Sequence, residues 1–570
     1  MFTKRITFAL LSCLLACYAN AQDSLLLRNF QFVKHDNPWL TTRNAAALTT
    51  FSTATITEAE AQLTKHKGGL TDYYGAPDAL EAGVSIASFY RLSPRTVVAG
   101  SISYNNWSGQ DMTGSAFINP ERKPFNIAED SLTNAGDKHR DTYRLSGSMG
   151  IDIWQGYALG ARLDYTAANY AKYKDLRHKN KLMDLLLSAG IHAPVMSWLS
   201  LGANYTYHRN TESLDFGTYG KSEKVYKSLI DYGAFFGRVE QFGNEGFTDK
   251  SREMPLFEDG HGADFQLSVM PLAPVSLFGT VGFSHSTGYY GRRSPYTITY
   301  TNHSRDRFEA TARLTYQPGT PSAASSSSPS AASSSSPSGV PSSSSAAPSS
   351  LRSCRSRFYL DITYSREALK NNAETYRELT NASGATYYEY YDPVETGDKT
   401  WHELDVAATA LLGINGELPT WQLTVGYHYL QRKQKAYLYP YYMNQRLSNN
   451  TVSLNATHNL LTRHGVWSFT LSGAFLKGDG KPFTVNTFVT PSAGQEPPAM
   501  MSAFLYREHQ YLTAPQYRIG GSVKYAFRFP GTRMKTHVCL SASHRKANQS
   551  NDYSTGSDRT QLSVAVGCTF

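Results

Sequence analysis

What most limits the fold of this chain is a pattern. From about residue 46 onward, segments of roughly ten residues alternate apolar with small or polar side chains, and no apolar run after residue 21 approaches the ~18 residues of a helical membrane span. The last segment, QLSVAVGCTF, puts Leu562, Val564, Val566, Cys568 and Phe570 on one face, and Gln561, Ser563, Ala565, Gly567 and Thr569 on the other. In YRLSGSMGIDI, Tyr143, Leu145, Met149, Ile151 and Ile153 oppose Arg144, Ser146, Ser148 and Asp152. In YALGARLDY, Tyr157, Leu159, Ala161, Leu163 and Tyr165 oppose Arg162 and Asp164, and only Gln155 and Gly156 separate the two segments, which predicts a tight hairpin. A slip of one residue would move Arg162 and Asp164 together onto the apolar face. One Arg near a bilayer midplane costs about 2–4 kcal/mol, so the register is fixed.

Clean copies recur at 199–207, 308–316, 421–429, 467–475 and 517–527. Short links are expected near 91–95, 155–156, 193–197, 271–274, 413–420, 461–465 and 530–533. Long ones are expected near 58–79, 105–142, 169–181, 209–261, 285–306, 367–400, 431–449, 476–514 and 544–559. The two kinds alternate, which predicts an all-β, transmembrane, antiparallel up-and-down β-barrel of roughly 18 strands, within a range of about 16 to 20, with short periplasmic turns and long external loops. The 13% aromatic content, with 38 Tyr, suits rings placed where lipid meets water.

The chain opens MFTKRITFALLSCLLACYANAQ. Lys4 and Arg5 precede an apolar run from about Ile6 to Tyr18, and Ala19 and Ala21 frame a cleavage site, so residues 1–21 read as a signal peptide. A competing reading lipidates Cys17, after Leu14, Leu15 and Ala16. Residues 22–45 then form a periplasmic segment or a plug, and 46–570 form the barrel. Within it, 317–356 is a Ser/Ala/Pro tract that repeats SAASSSSP at 322 and 330, where a short turn is due. The tract is expected to be a disordered insertion on the periplasmic rim, or a tether for a periplasmic partner. A linker between two domains conflicts with the strand pattern resuming at Phe358.

Removing Lys4 and Arg5 lowers the net charge from +9 to +7, and no compact basic run points to nucleic acid. Cys354, Cys539 and Cys568 are too few for a disulfide framework, and the alternation puts Cys539 and Cys568 on opposite faces. The sequence holds no phosphate-cradling loop, HExxH motif or zinc-spaced Cys/His set, so neither enzyme activity nor a metal or other cofactor is expected. The polar strand faces carry Arg144, Asp152, Arg162, Asp164, Glu309, Arg313, Arg518, Lys524 and Arg528 as candidate lumen-facing charges; with the acidic residues on those faces the signs nearly cancel, which predicts a wall without strong ion selectivity. An 18-stranded barrel leaves an aqueous bore unless something fills it. The segment 22–44 and the 209–261 loop, with its YGAFFGRVEQFG core, are the candidates.

The signal, the alternating strands and terminal Phe570 together resemble outer-membrane β-barrel proteins of Gram-negative bacteria. There, a last strand ending in an aromatic residue is the signal read by the barrel-assembly machinery. The segment DNPWLTTRNAAAL, with Asn37-Pro38-Trp39 and Asn44 to Leu48, resembles uncharacterised porin-like barrels of Bacteroidota and, distantly, the Asn-Pro-Ala element of fatty-acid-transporter-like barrels. Ala45 stands where that family has proline. TonB-dependent receptors are less similar, since they place a plug of over about a hundred residues before 22 strands. The resemblance implies a cell outer-membrane location, contact with outer-membrane lipid and passive passage of small solutes. A non-conducting scaffold or secretion-system component holding a protein partner, and a hydrophobic-substrate transporter, are the alternatives.

Overall fold

The computed structural model describes residues 24–570 apart from 54, 130–131, 221–222, 244–245, 273, 295, 319–354, 496, 530, 533 and 549–555. The signal peptide with Ala19 and Ala21, Cys17, Cys354 and most of the Ser-rich tract lie outside the described residues.

Among the described residues eighteen strands close into one antiparallel barrel sheet, to which a nineteenth, short strand, Thr484–Thr487, adds beside Tyr441–Asn444. In chain order the eighteen are β1 (Thr55–Lys67), β2 (Asp78–Arg91), β3 (Thr96–Met112), β4 (Gly136–Trp154), β5 (Tyr157–Lys172) and β6 (Arg177–Met196). There follow β7 (Leu199–Gly217), β8 (Met254–Leu272), β9 (Val275–Ser294), β10 (Thr297–Tyr316), β11 (Arg355–Ala373) and β12 (Val394–Ile414). The last six are β13 (Trp421–Leu438), β14 (Tyr441–Leu461), β15 (Gly465–Asp479), β16 (Gln516–Arg528), β17 (Lys535–Ala547) and β18 (Asp558–Thr569). Each pairs with its chain neighbours, and β18 closes on β1 in the register Glu58↔Thr569 through Lys67↔Thr560. Phe570 extends that seam: its N–H donates to the Thr57 carbonyl at 3.0 Å, and its carbonyl accepts from Thr57 at 2.9 Å.

The outer face carries the alternation's apolar set, exposed: Leu63, Ile86, Ile102, Leu145, Leu163, Ile191, Phe265, Val281, Leu360, Val425, Leu454, Leu471, Ile519, Leu540 and Val564 among many. A belt of this size belongs against lipid, not water. Trp154, Tyr157, Trp198, Tyr316, Phe358, Trp421 and Trp467 ring it at the end that holds Phe570, as amphipathic rings do at an interface. That end is called the near end below.

The near-end connections are short (92–95, 155–156, 197–198, 273–274, 415–420, 462–464 and 529–534), except for the tract at 317–354. At the far end, 113–135, 218–253, 374–393 and 480–515 are long. Three far-end links, however, are tight where long loops are expected: 173–176, 295–296 and 439–440. The strands there run on past the apolar belt, polar on both faces, so hydropathy alone ends them too early. Cys539 and Cys568 are both free thiols, standing opposite Ala565 and Thr536 in the ladder.

Candidate functional site: a chamber between plug and cap

Residues 24–50 lie against the inner wall at the near end. They are wound into short turns, and asparagines cap three of them. Asn29 accepts from Gln31 and Phe32 to start α1 (Phe30–Asp36). Asn37 accepts from Trp39 at 3.2 Å to start the turn Pro38–Thr41, and Asn44 accepts from Ala46 at 3.1 Å to start Ala45–Thr50. A side-chain oxygen at such a position satisfies an orphan backbone N–H and is worth about 1 kcal/mol.

Wall residues hold this plug at many points. The buried Asn44 amide donates to the Ile191 carbonyl at 2.7 Å and to Gln266 Oε1 at 3.0 Å. Trp39 packs edge-on against His192 and Phe278, and Phe30, Leu40, Leu48 and Phe51 pack with Phe89 and Val97. Asp36 pairs with Arg357 and accepts from the Tyr359 hydroxyl at 3.0 Å. A row of three glycines, in register across β4, β5 and β6 as Gly150↔Gly160↔Gly190, makes the seat. A Cβ on Gly160 would overlap the Ala46 nitrogen, one on Gly190 would overlap the Asn44 side chain, and one on Gly150 would overlap the Ala45 carbonyl.

A second body fills the far end. Asn126–Glu129, Lys227–Gly233, Phe236–Gln241 and Ala499–Met500 form a four-stranded sheet, and α2 (Ser502–Thr513) follows its last strand. Phe125, Ile127, Ile230, Phe235, Phe236 and Phe504 pack in one buried cluster with the wall residues Leu256, Tyr290, Ala436 and Met443. The buried Arg432 of the wall grips Glu508 of α2 with two charge-assisted bonds, 2.8 and 2.7 Å long. Burial pushes Asp231, in the inner sheet, up to about 6, against the lowering effect of Lys399. Burial and the neighbouring Glu508 and Glu121 likewise raise Asp72 well above the usual carboxylate range.

Between plug and cap lies a cavity of about 700 Å³. Its lining takes Arg43 from the plug, Asn119, Arg122 and Lys123 from the cap, and Arg140, Arg144, Thr166, Asp184, His208, Glu258, Arg305, Arg307 and Glu367 from the wall. Seven cationic side chains therefore meet three carboxylates, an imbalance unlike the near-cancellation expected for the wall as a whole. Five of the cations have acidic partners: Arg43 with Asp264, Arg122 and Arg305 with Glu367, Lys123 with Glu212, and Arg307 with Glu309. A larger cleft, about 1010 Å³, opens at the far rim, lined by Tyr300, Tyr376, Tyr437 and Phe488 with Arg238 and Lys250.

The nine expected lumen charges divide by place. Arg144 lines the chamber. Arg162 forks onto Asp164 at 2.7 and 3.0 Å and also bonds the Thr42 carbonyl of the plug at 3.3 Å. Arg313 pairs with Asp361 and donates to the plug's His35 carbonyl. Glu309 stands 4.0 Å from Arg43. Asp152 and Arg528 turn to the near rim, where Asp152 accepts from Gly156 at 3.0 Å and Arg528 donates to Thr532 at 2.8 Å. Arg518 and Lys524 stand on β16, away from the chamber lining. Sequence reasoning missed Arg140 and Arg305, which it left within the expected long loops 105–142 and 285–306, Arg307, which it left between that second loop and the strand copy at 308–316, and the contributions of 113–135 and 480–515 to the cap. The amphipathic run FLYREHQYL at 504–512 was the available signal for α2.

Fold and interior together define a membrane-spanning, 18-stranded barrel with a plug, a cap and a charged chamber between them. The chain belongs to DUF6850, a family of unknown function whose model matches residues 45–327 and 344–570. The break between the two matched stretches falls inside the Ser-rich tract. No curated protein matches the chain. Solved structures similar to it include the outer membrane transporter YddB from Escherichia coli, at 8% identity and TM-score 0.39, covering 91% of this chain and 81% of that one. BauA, the ferric preacinetobactin receptor from Acinetobacter baumannii, is similar at 9% identity and TM-score 0.39, covering 91% and 79%. At these scores the likeness says nothing of function.

Proposed function

We propose that this protein is a gated transport barrel of the Gram-negative outer membrane, not an enzyme, and that it passes small solutes through its lumen when plug and cap move aside. The observation that carries this reading is a charged chamber held between two bodies built from the barrel's own chain. A permanently open porin has no use for such bodies, and an apolar substrate would strip water from the chamber's charges at a cost of several kcal/mol per ion. Passage remains passive: conformational release, with no energy source, is enough. The near end faces the periplasm in this reading, and the cap faces outward.

Planar-bilayer conductance tests it. The mature protein should open rarely. Gly160→Val, which displaces the plug, combined with replacement of the inner hairpin 227–241 by a short turn, should give steady openings. A doubly altered barrel that folds and stays silent would overturn the reading.

A further inference from the structure

We propose that the chamber is a binding site for a small organic anion, one bearing a carboxylate or phosphate group, and that Arg140 and Arg144 grip it. The proposal rests on the lumen being a solute path. Among the chamber's seven cations, these two alone make no ion pair and no hydrogen bond with another described residue. Arg140 Nε is fully buried and without a partner, and its guanidinium lies 5.5 Å from the centre of the Trp107 ring, which steadies the group without neutralising it. With Nε closed off, it is the terminal nitrogens of Arg140 and Arg144 that face the chamber, two cations without a counter-ion on one cavity wall, and an anionic ligand offsets that cost.

The spacing fits one solute. Arg140 and Arg144 lie four residues apart on β4, hence on the same face, about 13 Å from Cα to Cα by strand rise. Thr142 stands between them and Thr166 opposite Arg144, both lining the cavity with hydroxyl donors. Each guanidinium offers a fork that matches a carboxylate or phosphate with two parallel bonds. At about 700 Å³ the chamber suits a metabolite-sized ligand.

Titration calorimetry in detergent, with inorganic phosphate and with citrate as probes and glycerol as the neutral control, tests this directly. It is run on the mature protein and on Gly160→Val, where access to the chamber is not limited by the plug. At least one anion should bind while glycerol does not, and R140Q/R144Q should weaken that binding at least tenfold. The arm that binds more tightly distinguishes phosphate from carboxylate ligands. A second variant, T166D, gives Arg144 a carboxylate of its own and should weaken binding to a similar degree while leaving the barrel's heat-modifiable gel mobility unchanged; it serves as the deciding test if R140Q/R144Q does not fold. No anion binding by folded Gly160→Val, or unchanged affinity in the folded variants, overturns the proposal. Anion binding by a barrel that never conducts would uphold the site and overturn the path; conduction without anion binding would do the reverse.

Discussion

At the residue scale, the turn Ala45–Thr50 of the plug is seated by one amide and by three absent side chains. Asn44 caps its own turn with Oδ1 and ties it to the wall with Nδ2. Asn44→Ala removes all three bonds and strands the buried Gln266 acceptor; it should cost about 2–3 kcal/mol of plug docking, read as faster hydrogen exchange across residues 38–50 with β5 and β6 still protected. The glycines make a paired prediction. Gly160 is crowded by the plug, whereas a Cβ on Gly147 meets nothing within 4 Å. Gly160→Val should therefore expose plug residues to a labelling reagent, while Gly147→Val should leave both plug and barrel as they are. Asn37 and Asn44 stand out in the sequence beside Pro38 and Trp39. The glycine row does not, because it exists only once three strands are laid in register.

At the scale of elements, the cap is the part most responsive to conditions. Asp231 titrates at about 6 when docked, above its usual 3.8, so between those values the docked cap binds more protons than the undocked one. Docking is therefore strongest at or below about pH 4 and weakens by about 2–3 kcal/mol as pH rises through 6; Asp72, shifted in the same direction, adds to the trend. Protection factors of amides in 227–241, taken relative to the intrinsic base-catalysed exchange at each pH, should fall between pH 4 and 7, and Asp231→Asn should flatten that fall. Glu508→Gln leaves the buried Arg432 charge without its counter-ion, a loss of about 3–5 kcal/mol, and should free α2 while the strands keep their heat-resistant mobility. The strand segments that face lipid were legible because lipid enforces strict alternation. Their far ends were not: at KHRDT, residues 138–142, both faces are polar, so Arg140 fell in an expected loop although it stands on β4.

For the whole molecule, a closed barrel of roughly 18 strands, within 16 to 20, was legible in the alternation of faces and of short and long links, and the seam places Phe570 beside Thr57 of the first strand. The interior did not follow, since cap residues come from loops far apart in sequence that meet only inside a finished cylinder. The Ser-rich tract is incidental to that cylinder. β10 and β11 already pair at Tyr316↔Phe358, so replacing 319–354 with a turn of a few residues should leave the fold intact and raise stability by about 1–2 kcal/mol through the shorter closure, read as a higher midpoint in urea. The seam between β1 and β18 also bears on the order of events during assembly. The first strand keeps a free edge until the last strand of the chain reaches it, and the plug sits directly ahead of that first strand. The plug is thus made and at hand before the wall can be sealed around it, and a barrel closed without it would have to admit it afterwards through an end of the finished cylinder. Residues 24–50 supplied as a separate peptide should therefore seat readily when mixed with unfolded chain lacking them, and slowly or not at all when added once that chain has closed.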